Sequence, residues 1–180
     1  MSEAPPPTQT LREEHRVILR AIALLEVAAG RLGDGRPLPD GWWEGLLDWL
    51  RAFADLNHHA KEERYLFPAL AQAGIPADEG PVSVMLEEHA EGRALVQAMA
   101  GGAPGRRVEA ARRYGHLLRD HIGKENGVLL PLAEAVLDPQ TQLLLARAFE
   151  KVEAEQGPAA FIELAEAEVD RLAAALGGLI

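Results

Sequence analysis

An all-α fold, an up-down-up-down four-helix bundle with one or two additional C-terminal helices, follows from three observations. Aliphatic and alanine content is high, while aromatics are only 5% of the 180 residues. Four long stretches carry apolar residues at helical spacing. Glycine and proline, 17 and 12 residues, are concentrated between those stretches, which favours helices over strands.

The first stretch follows the polar lead-in "PPPTQT", where Thr8 or Thr10 is a candidate cap. Leu11, Ile18, Ile22 and Leu25 then recur on one helical face, so a helix to about Leu32 is expected. "GDGRPLPDG" breaks the chain, and Asp40 is a candidate cap for the second helix, "WWEGLLDWLRAFADLNHHAKEERYLFPAL". That helix should loosen near Pro68. Trp42, Trp43 and Trp49 read as packing at one end of the bundle. The third helix is "VSVMLEEHAEGRALVQAMA", closed by "GGAPG". The fourth is "RRVEAARRYGHLLRDHIGKENGVLLPLAEAVL", again with a proline, Pro131, near its end. Two shorter amphipathic stretches, 140–155 and 158–176, complete the chain. The expected organisation is a flexible lead-in over 1–9, the bundle over 10–137, and over 138–180 an extension packing on the bundle or on a partner subunit. Four long helices with short connections favour antiparallel neighbours.

Charge and composition narrow the function classes. With 28 acidic and 18 basic residues the net charge is −10, which repels phosphate backbones and argues against nucleic acid. No apolar run reaches membrane-spanning length, and the N-terminus lacks a signal-peptide pattern, so a cytoplasmic location is the expectation. There is no cysteine, so any metal must be held by histidine and carboxylate, a donor set that suits iron, manganese or zinc.

Helices two and four share the frame H-x-x-x-E-x-x-x-L-x-P-x-[AL], through His58 or His121, Glu62 or Glu125, Leu66 or Leu129, and Pro68 or Pro131. Residues four apart lie one turn above each other, so each pair presents an imidazole and a carboxylate to one point. Helices one and three each add a histidine, His15 and His89, both preceded by "EE". A lone histidine of this kind is more often a partly exposed helix residue, and a lone H-x-x-x-E is often a simple hydrogen-bonded pair. A histidine on each of four helices, two with a carboxylate one turn on, is instead the requirement of a buried metal site in a bundle.

Phasing at about 100° per residue puts Leu47, Ala54, Tyr65 and Ala69 on the His58–Glu62 side. Glu63 falls far round and reads as a surface charge; His59, in phase with Leu66 and Leu70, stays open. Arg51 and Asp55 also fall near the His58 side, which blurs the assignment. Tyr65 reads as filling space, and His116 as peripheral.

The ordered set "LREEHRVI", "HHAKEERYLFPAL", "MLEEHAEGRALV" and "LLRDHIGKENGVLLPLAE" closely resembles the hemerythrin-like family with HHE cation-binding motifs, over about Leu11 to Val136. The resemblance implies two non-haem iron ions, oxo- or hydroxo-bridged, inside a four-helix bundle. By position it makes His15, His58, His89 and His121 terminal ligands, with Glu62 and Glu125 bridging. The oxygen-carrying members have five histidines, two of them four apart on the third helix. Here Arg93 stands four residues after His89, so either one position stays open or His59 replaces the missing ligand. An open position would turn a carrier towards reaction with peroxide or nitric oxide. The expected function is therefore binding of, or reaction with, O2 or a related small oxidant: oxygen binding, redox sensing or iron handling. The alternative is an enzyme scavenging peroxide or nitric oxide at the di-iron centre. A monomer or a homodimer fits equally.

Overall fold

A computed structural model describes residues 5–177; the first four residues of the expected lead-in lie outside the described residues. Six helices account for nearly all of it, with no strand among the described residues. Helix α1 spans Pro7–Gly33. Helix α2 runs continuously from Trp42 to Gln72, and α3 spans Gly80–Gly101. Helix α4 runs from Pro104 to Val136, α5 spans Pro139–Gln156 and α6 spans Ile162–Ala175.

Two candidate caps are not used. Helix α1 starts earlier than expected: Pro7 occupies the first turn, where its missing N–H costs nothing, and Thr8 and Thr10 lie inside the helix. Gly41, at φ 70°, precedes α2 in place of Asp40, and no side chain caps that end. The turn between α3 and α4 is two residues long. A Cβ on Gly102 would meet the Ala98 carbonyl oxygen at 2.8 Å, so only glycine fits there.

The prolines of the repeated frame loosen the backbone as expected, and in the same way twice. In α2 a π-helical turn covers Glu62–Leu66, just before Pro68; in α4 another covers Glu125–Leu129, just before Pro131. Proline cannot donate to the i−4 carbonyl and collides with it, so a widened turn ahead of the ring relieves both problems. A longer π-helical segment, Leu50–His59, precedes the first one in α2.

The bundle interior is two apolar cores separated by a polar layer. One core gathers Ile18, Ile22, Leu46, Phe53, Met99 and Leu118 with the three tryptophans; the other gathers Leu11, Leu66, Leu70, Met85, Leu129 and Phe149. Helix α1 runs from the second core to the first, α2 from the first to the second, α3 back again, and α4 once more back. That alternation is the up-down-up-down order. Each fully buried leucine contributes about 1.5–3 kcal/mol, and together the cores offset the cost of the polar layer between them.

Helices α5 and α6 pack on α1 and α2. The tryptophans anchor the bundle end: the Trp42 and Trp49 indoles donate to the Leu172 and Ala165 carbonyls of α6 at 2.8 and 3.1 Å, and Trp43 donates to Met99 of α3. No described helix is long and apolar enough to cross a membrane.

Candidate metal centre

All seven candidate residues, His15, His58, His59, Glu62, His89, His121 and Glu125, lie in the polar layer and are at most 4% exposed. They form two overlapping clusters. His15, His58, Glu62 and Glu125 offer donor atoms within 4.8 Å of one another, and so do Glu62, Glu125, His89 and His121. Both carboxylates belong to both clusters. His59 forms a third set with His89 and His121 by the same measure.

The contacts are close. His15 Nε2 lies 3.0 Å from both His58 Nε2 and Glu125 Oε2. Across the layer, His89 Nε2 lies 3.1 Å from His121 Nε2 and 3.4 Å from Glu62 Oε2. His121 Nε2 lies 3.2 Å from Glu125 Oε1, whereas His58 Nε2 and Glu62 Oε1 are 3.8 Å apart. The His59 ring stacks on His89, with centroids 3.8 Å apart.

Each of the four paired imidazoles is oriented through its other nitrogen by an adjacent helix. His58 Nδ1 meets Glu14 of α1 at 2.7 Å, and His89 Nδ1 meets Glu63 of α2 at 2.8 Å. His121 Nδ1 meets Glu88 of α3 at 2.9 Å, and His15 Nδ1 meets Asn126 of α4 at 2.9 Å. The ring closes: every helix holds the histidine of the next, with a residue directly beside its own donor. With Nδ1–H committed outward, each Nε2 turns a lone pair inward. Two such lone pairs meeting near 3 Å repel unless a proton or a cation stands between them.

The surroundings push the groups in opposite directions. Burial, and then the charge of Glu125, push the Glu62 carboxyl well above the usual carboxylate range. Burial acts the same way on Glu125, but His121 and His15 outweigh it and hold that carboxyl well below the range. Burial lowers His58 to about 4 against the pull of Glu14, and burial together with His89 keeps His59 well below its ordinary value. His121 is raised because Glu125 overcomes its desolvation.

The unpartnered atoms test whether a cation suits this layer. Apart from the imidazole contacts just described, the four carboxylate oxygens of Glu62 and Glu125 and both ring nitrogens of His59 are buried without a hydrogen bond; Asp55 Oδ1 stands 3.4 Å from His59 Nδ1. A buried, unpartnered carboxylate is costly, and a cation accepted by all these donors removes the cost. The donors fit a metal. A family model for the hemerythrin HHE cation binding domain matches residues 7–133.

The chain belongs to the hemerythrin HHE cation-binding family.

No curated protein and no solved structure matches it. Within this hemerythrin domain, one residue differs from its expected role. Glu63 is not a free surface charge: it orients His89 and is held by Arg93 at 2.7 Å. Arg93 itself pairs with Asp55 and Glu63. Tyr65 lies beside the second core, under the Arg64 guanidinium, and His116 is 82% exposed as expected. Glu14, Glu88 and Asn126 carry no helical-spacing signal of their own, though "EEH" stands at both places where a glutamate precedes a candidate histidine.

Proposed function

We propose that this chain holds two metal ions, with Glu62 and Glu125 available to both, and uses them to bind or react with O2 or a related small oxidant. His15 and His58 complete one position; His89, His121 and His59 complete the other. The observation that carries this reading is the sharing of both buried carboxylates by both clusters. The ions are iron in the first instance, since imidazole and carboxylate donors without thiolate suit iron, with manganese and zinc as competitors. A pair of iron ions, when bound, supplies one-electron chemistry and coordination positions for a small oxidant.

The chain's own residues prepare that layer. Glu14, Glu63, Glu88 and Asn126 fix the tautomer and the tilt of the four imidazoles. The apolar cores on either side keep bulk water away. A cavity of about 320 Å³, lined by Asp55, Arg93 and Tyr114, reaches His59 at the edge of the layer. This cavity favours a reactive centre over a purely structural ion, which would need no approach from solvent.

Metal analysis of the purified protein, with absorption spectra after reduction and re-exposure to O2, peroxide and nitric oxide, tests the reading. Two ions per chain and an oxidant-dependent spectrum are expected. One ion or none refutes it. Turnover of peroxide or nitric oxide, against reversible binding of O2, separates an enzyme from a carrier.

A further inference from the structure

Lys61 is fully buried in α2, an unusual place for an ammonium group. It contacts Glu14 Oε1, and Glu153 Oε1 of α5 lies 2.7 Å from its Nζ. The Phe149 ring, also on α5, lies with its centroid 5.8 Å from the same nitrogen. Glu14 is itself 2% exposed and takes Asn57 Nδ2 at 3.1 Å and His58 Nδ1 at 2.7 Å. A line of charge contacts therefore runs from α5 to one imidazole: Glu153, Lys61, Glu14, His58.

We propose that Glu153 and Lys61 are positioning residues for the His15–His58 ion, so that α5, outside the residues matched to the family, is part of the metal centre. The inference rests on the two-ion reading above. A buried ammonium held only by Glu14 would draw that carboxylate towards itself and away from His58 Nδ1. Glu153 supplies the second anion that lets Lys61 sit between the two. The His89–His121 half is served differently: Glu63 and Glu88 pair with Arg93 and Lys124, all on α2, α3 and α4. Loss of Glu153 should therefore be felt on one side of the site.

Cobalt(II) titration of the metal-free full chain, followed by its visible absorption, tests this without any turnover assay. Glu153→Gln should weaken one of the two Co2+ binding steps by about tenfold, the lower end of what outer partners of ligands contribute, and Glu153→Asp should restore most of it. In a Lys61→Met background Glu153→Gln should change nothing further, because its effect passes through the ammonium. Leu145→Ala, which loosens α5 in the second core without touching the charged line, should lower the melting temperature and leave both Co2+ steps in place. Parent-like binding by Glu153→Gln overturns the proposal, and so does an equal loss in Leu145→Ala, a comparison that holds even if Lys61→Met does not fold. A parent chain that takes up fewer than two ions fails the two-ion reading itself.

Discussion

Glu63 Oε1 stands 2.8 Å from Nδ1 of His89, and the Arg93 guanidinium holds the same carboxylate at 2.7 Å. Helix α2 thus contributes two neighbouring glutamates in different roles: Glu62 faces the donors directly, while Glu63 steers an imidazole on α3. Replacing either should affect metal, to different degrees. Glu62→Ala should remove both ions, whereas Glu63→Ala should keep the site and weaken it by about 10–100-fold. Metal content after dialysis against graded chelator measures the difference. Equal losses would contradict the assignment.

His59 has two buried ring nitrogens without hydrogen bonds and stacks on His89. As a donor to the second ion it should be visible in the metal's electronic environment. His59→Ala is expected to lower the affinity for one ion and to shift the absorption spectrum. Unchanged content and spectrum would reduce His59 to a packing residue.

Without metal, Glu62 is an uncompensated buried carboxyl. Removing the ions with chelator should lower the melting temperature, since a ligand at about 100 times its dissociation constant stabilises by about 2.7 kcal/mol. Glu62→Leu should reverse that response: it should raise the melting temperature of the metal-free protein and abolish the gain from added metal. Differential scanning calorimetry with and without chelator reads both effects.

Acid should act on the metal-free protein through His58. Its folded value of about 4 lies below the ordinary 6.5, so between these limits the unfolded chain binds a proton that the folded chain does not. Stability therefore rises with pH across that window and falls on acidification from about 6.5 to 4, by on the order of 3 kcal/mol from this group. Urea unfolding of the metal-free chain at pH 7 and pH 5 measures it. With metal present the same protons compete for the donors, and ions should leave over a lower pH range.

Much of this protein is legible in its sequence. Helical periodicity, and breaks rich in glycine and proline, mark four long helices and two short ones; the repeated frame at His58 and His121 marks two of the candidate imidazole–carboxylate pairs. What periodicity misses traces to local backbone departures. The 100° rule sends Glu63 to the surface and leaves His59 undecided because it assumes an unbroken α-helix, whereas Leu50–His59 and Glu62–Leu66 are π-helical. Each such turn advances the chain by less than 100° per residue and brings neighbouring residues towards the same face. Pro68 announces the second of these turns, but Leu50–His59 contains neither proline nor glycine to announce the first.

The sequence by itself determines the fold class and the two imidazole–carboxylate pairs, since both depend on spacing within a single helix: a period of 3.6 residues for the cores, and four residues between imidazole and carboxylate. Only the tertiary structure decides who orients whom. Glu14 stands beside His15 in the chain but bonds His58, Glu88 stands beside His89 but bonds His121, and Lys61 finds its second anion on α5, 92 residues away. Those partners are set by how the helices pack side by side, because a hydrogen bond depends on distance in space, and no spacing along one helix encodes it.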